Sequence, residues 1–78
     1  MTETATVPAD LIALELTHRA EKAAADARGK GSCHYAAYLA GQAVAKHPWL
    51  TQHPGTSPER RAARKALRQA ADAAGARP

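Results

Sequence analysis

Phenylalanine is absent from this sequence, and leucine, valine and isoleucine together supply only nine of its 78 residues. That is about 12% large aliphatics, below the roughly 20% that ordinarily secures a folded core. Aromatic residues are limited to one Trp and two Tyr. A β-sandwich, whose strands draw on β-branched and aromatic side chains, is therefore excluded, as are a large enzyme and a multi-domain protein. The single cysteine, Cys33, removes a disulfide scaffold and fits a reducing compartment. No apolar run approaches the ~20 residues of a membrane span. The acidic, polar start after Met1 lacks the basic and apolar regions of a secretory leader. The expectation is a cytoplasmic chain that enters no membrane and holds no cofactor.

What fills the composition instead is alanine, at 21 positions. Alanine favours helices but buries little area, so the expected fold class is all-α with a thin core. The formal net charge of +4 is unevenly spread. Residues 1–28 carry −2, residues 29–56 carry +2, and residues 57–78 carry +4. The basicity thus belongs to the C-terminal third, where it favours nucleic acid or an acidic partner.

Helix punctuation divides the chain. Pro8 and Asp10 open a first helix over about residues 9–28, which Gly29-Lys30-Gly31 stops. Ser32 is the expected cap of a second helix over 33–47, ended by Pro48. Residues 48–56, with two prolines and a glycine, read as a loop. Ser57-Pro58-Glu59 combines an N-cap, an N1 proline and a first-turn acid, and opens a third helix over 58–74. The expected organisation is a tail at 1–7, one helical domain at 8–75 and a short tail at 76–78.

Helical-wheel arithmetic at about 100° per residue assigns faces. The first helix carries two apolar ridges, Ile12/Leu16/Ala20/Ala23/Ala27 and Leu11/Leu14/His18/Ala25. Between them runs a polar stripe in which Glu15 and Arg19 have the favourable spacing of four. Two ridges call for two neighbours. The second helix is apolar nearly all round, the pattern of a central helix, and is expected between the other two. Cys33, Ala37, Gly41 and Ala45 form a small-residue groove along it, suited to a close crossing. Tyr35 and Tyr38 read as core-edge residues, and Trp49 as a cover for the alanine faces. The third helix opposes an alanine arc (Ala62, Ala63, Ala66, Leu67, Ala70, Ala73, Ala74) to a basic arc of Arg60, Arg61, Arg64, Lys65 and Arg68.

No catalytic set is legible: paired carboxylates at a working spacing and a nucleophile–base–orienter triad are both missing. Cys33 at a helix start would gain thiolate character, but the adjacent His34 points about 100° away, so a packing cysteine is the plainer reading. Cys33, His34, His47, His53 and His18 show no zinc-ligand spacing. Gly-Lys-Gly-Ser lacks the rest of a phosphate loop and reads as a turn. Two surfaces remain. One is the basic arc, either a solvated face or a contact for phosphates or an acidic partner. The other is an apolar contact drawing on Leu11, Leu14, His18, Trp49 and Leu50, since the ridges exceed what one small chain covers. The expected function is non-enzymatic: a small helical interaction module, accessory or regulatory, acting on a protein partner or on a second copy. A nucleic-acid-associated basic protein is the alternative, and a thiol or metal sensor built on Cys33 and the histidines stands third.

Overall fold

A computed structural model describes residues 6–75, which form α1 (Ala9–Ala27), α2 (Tyr35–Ala45), α3 (Pro48–Thr51) and α4 (Pro58–Gly75), with no strand among them. Residues 1–5 of the expected tail at 1–7, and the expected tail at 76–78, lie outside the described residues. Val7, expected in a tail, packs against the core.

Local chemistry sets the boundaries. Gly29 and Gly31 adopt φ of +94° and +83°, a region that residues with a Cβ rarely enter, and so turn the chain out of α1. The α2 boundary differs from expectation. Ser32 does not cap it: its hydroxyl donates instead to the carbonyl of Ala25 at 2.6 Å, across the turn. The N-cap is His34, so Cys33 and His34 precede α2 rather than forming its first turn. The proline-rich segment is not all loop. Pro48 stands at N1 of the four-residue α3, whose N-cap His47 accepts the Trp49 backbone N–H on Nδ1 at 3.1 Å. At α4 the expectation holds: Ser57 Oγ accepts from the Arg60 N–H at 3.1 Å.

α1 stands at the centre, packed on both α2 and α4, while α2 and α4 do not pack along one another. This overturns the expected central place of the second helix. The cause is the pair of ridges on α1, which face two ways. His18, from one ridge, lies against Gly41 of α2, and Leu16, from the other, reaches Gly75 of α4. The α1–α2 pair is antiparallel, with Asp10 beside His47 at one end and Asp26 beside His34 at the other. α4 begins beside Ala45 and ends beside Leu16 and Arg19, so it runs in broadly the same sense as α1.

The core is small. Leu11, Val44, Leu50, Ala63 and Leu67 form its buried cluster, with Val7, Ile12, Leu14 and Trp49 partly buried around it. In α4 the buried strip is Ala63, Leu67 and Ala71, centred about 70° from the middle of the alanine arc. The single large side chain, Leu67, fixes which way α4 faces, and Ala62, Ala73 and Ala74 are left exposed. From Ala20 onward α1 fully buries only Ala25, and α2 buries only Ala37 and Val44. The distal halves of these two helices project as an arm beyond α4. The Cα radius of gyration, 13.8 Å, exceeds the roughly 11–12 Å of a compact chain of this length.

Candidate functional site

Among the described residues, the exposed large apolar side chains lie on α2. Tyr35 is 62% exposed, Tyr38 59% and Leu39 45%, with Ala36 and Ala43 exposed beside them. Only Gln42 and Lys46 interrupt this face, and Gln42 donates to the Tyr38 hydroxyl at 2.6 Å. The two tyrosine rings stack with centroids 6.4 Å apart and planes inclined by 26°. Both tyrosines were expected at the core edge. They point outward because α2 packs along α1 alone, and the face bearing Ala37 and Val44 is the one it covers.

The residues expected at an apolar contact do not assemble into one. Leu11 and Leu50 are 0% and 1% exposed and belong to the core of the chain itself. Leu14 packs against that core. His18 lies over Gly41: a Cβ built there would meet its Nε2 at 3.0 Å. The expected groove is therefore a contact between an imidazole and a glycine, and Cys33, exposed and outside α2, takes no part in it. Trp49 is half-buried against the core and walls an open groove of about 340 Å³ over Ala62, Ala63 and Ala66.

The basic arc is also rearranged. Arg61, Arg64, Lys65 and Arg68 are exposed, but Arg60 is half-buried. It donates from Nη1 to the carbonyl of His53 at 3.2 Å and from Nη2 to that of Ala45 at 3.5 Å. Its Nε is buried without a hydrogen bond among the described residues. Arg60 thus ties α4 to the ends of α2 and α3 instead of standing ready for a phosphate. On the wheel Arg60 stands at the edge of the basic arc, in line with Leu67 and Ala71 of the strip that α4 buries.

Three ionic contacts organise the rest. Arg19 donates to Glu15 Oε2 at 3.2 Å, the pairing its spacing predicts, and to Asp72 Oδ1 at 2.7 Å. The Asp72 bond is the leading reason its guanidinium stays protonated even beyond its ordinary range. His47 Nε2 lies 3.0 Å from Asp10 Oδ2. Because Nδ1 accepts from Trp49, the proton of a neutral ring sits on Nε2 and is donated to Asp10. That hydrogen bond is the leading cause that holds the Asp10 carboxyl below its ordinary value. His34 likewise approaches Asp26 at 3.2 Å.

Among the described residues no group of three or more His, Cys, Asp or Glu side chains is placed to hold a metal ion. No described helix is long and apolar enough to cross a membrane. Comparison of the chain with protein-family models, with curated proteins and with solved structures finds no match.

Proposed function

We propose that this protein is a small non-enzymatic interaction module that docks through the outer face of α2, onto a protein partner or a second copy. The observation that carries this reading is the exposure of Tyr35, Tyr38 and Leu39 on one face of a helix in a chain otherwise short of large apolar residues. Their exposed parts amount to roughly 300–400 Å², a patch of the size that is often functional on a small monomer. One such patch on each side stays below the ~1,200 Å² of a stable interface, so the complex is a transient one or recruits neighbouring surface. An accessory or regulatory role suits reversible contact of this kind.

The test compares the intact chain with Leu39→Lys. Sedimentation over a range of concentrations reads self-association, and copurification from the native host at low salt reads partners. The reading expects at least one of these to be lost in the variant while far-UV circular dichroism stays unchanged. A wild-type chain that is monomeric at hundreds of micromolar, with an identical set of copurified proteins for both, overturns it.

A second reading, nucleic-acid association, is favoured by the four cations that α4 still presents together: Arg61, Arg64, Lys65 and Arg68. If all four neutralise phosphates on duplex DNA, log affinity falls with log salt at a slope of about −3.6. Replacing Arg61 and Lys65 by Gln then flattens the slope by about two units. Absence of binding at low salt refutes it, because the electrostatic contribution is largest there.

A further inference from the structure

A cleft of about 190 Å³ opens where α1, α2 and α4 converge. Val44, Leu50 and Leu67 give it an apolar lining, while Glu15 from α1 and Arg64 and Arg68 from α4 bring both signs of charge to it. The Glu15 side chain is only 14% exposed. Its Oε2 is taken by Arg19, but its Oε1 has no nearer ionic partner than His18 Nδ1 at 3.9 Å, which is beyond hydrogen-bond length. Arg64 and Arg68 stand one helical turn apart, a spacing at which like charges repel, and neither forms an ion pair with a described residue. The fold has therefore brought a free carboxylate oxygen and two unanswered guanidinium groups to one small apolar recess without joining them.

We propose that this cleft binds a small aliphatic amino acid as its zwitterion. The ligand carboxylate lies between Arg64 and Arg68, its ammonium donates to Glu15, and its side chain enters the recess beside Gly41, Val44 and Ala45, above the buried Leu50 and Leu67. Size favours such a ligand: an apolar cavity of about 150 Å³ holds a six-carbon ring, so a recess slightly larger takes a branched four-carbon side chain with its polar head at the rim. Charge favours it too. A simple organic anion would sit beside Glu15, and a simple amine beside two guanidinium groups, whereas a zwitterion meets both. The site is separate from the α2 face and does not depend on how that face is used.

The test is a titration of the isotopically labelled intact chain, followed by NMR on the methyl groups of Val44, Leu50 and Leu67. The probes are L-leucine, 4-methylpentanoate (which lacks the ammonium) and 3-methylbutylamine (which lacks the carboxylate). L-Leucine is expected to give saturable shifts below about 10 mM, and each truncated probe to bind at least about tenfold more weakly. Glu15→Gln and the double variant Arg64→Gln/Arg68→Gln should each weaken L-leucine by about tenfold or more, whereas Arg61→Gln leaves it unchanged. Absence of saturable shifts, equal binding of 4-methylpentanoate, or tighter binding in Glu15→Gln overturns the proposal. Should Glu15→Gln unfold through loss of its bond to Arg19, the three probes on the wild-type chain still decide.

Discussion

Replacing Gly41 by alanine sets two known effects against each other at one atom. Glycine inside a helix costs about 1 kcal/mol relative to alanine, so on an open surface Gly41→Ala stabilises by that amount. Here the new Cβ would lie 3.0 Å from His18 Nε2, closer than ordinary van der Waals contact, and 3.4 Å from Cδ2. The imidazole must yield. It is able to, since the His18 side chain is 34% exposed and its nearest ionic neighbour, Glu15, is 3.9 Å away. Displacing it from its rotamer costs about 0.5–1.5 kcal/mol, so the net change in the wild-type background is within about 0.5 kcal/mol of zero. In a His18→Ala background nothing opposes the new methyl group, and the full propensity gain of about 1 kcal/mol returns. The coupling energy of the cycle is then about 0.5–1.5 kcal/mol. Urea unfolding of the four proteins, followed by far-UV circular dichroism, measures it. A stabilisation of about 1 kcal/mol by Gly41→Ala in both backgrounds would mean that the imidazole does not rest on Gly41, and would refute the reasoning. Gly41→Leu, which the ring cannot escape by a small rotation, should cost about 1–3 kcal/mol.

Two further outcomes follow from the contacts of Arg60 and Asp10. Arg60→Ala loses both the packed stem and two bonds to carbonyls and should cost about 1–2 kcal/mol in urea unfolding, whereas Arg60→Met loses the same bonds but keeps the stem and should cost less; equal costs would show that the carbonyl bonds dominate. The Asp10 carboxyl, held below its ordinary value of 3.8 by the His47 hydrogen bond, contributes stability that is present above about pH 4 and lost as pH falls through its lower native value. Thermal melting of the wild type and Asp10→Asn should therefore converge as pH drops below about 4, and parallel profiles across that range would contradict the pairing.

How much of this was legible in the sequence depends on how local each cause is. The Ser57 cap, the glycine turn at 29–31 and the Glu15–Arg19 pair depend on neighbours within a few residues, and all three stand where the spacing puts them. Ser32 misled because its hydroxyl found a carbonyl seven residues upstream in preference to the start of α2. The wheel misled at α4 because it weights a broad arc of alanines above one leucine. Leu67 alone has enough area to set the direction of burial, and it draws Arg60 inward with it. The tyrosines misled for a related reason. A helix that is apolar all round is central only if enough surface exists to surround it, and this chain spends its few large side chains around Leu11, Leu50 and Leu67. The mixed-charge cleft was not legible at all. Glu15 was readable only as part of a stripe and Arg64 and Arg68 only as part of an arc, because what unites them is the placement of α4 along α1.

The arm formed by the distal halves of α1 and α2 has a consequence for how the protein opens. Helix Tyr35–Ala45 is anchored to the shared cluster by Val44 near one end, while at the other its only fully buried residue is Ala37. A fluctuation that melts residues 20–40 thus leaves Leu11, Leu50 and Leu67 together. Such an arm forms a separate cooperative unit, and its amides exchange with solvent at a lower free energy than those around the leucines. Any molecule that binds the stacked tyrosines selects the closed arm, so occupancy there would be registered as slowed exchange as far away as the backbone of Ala25.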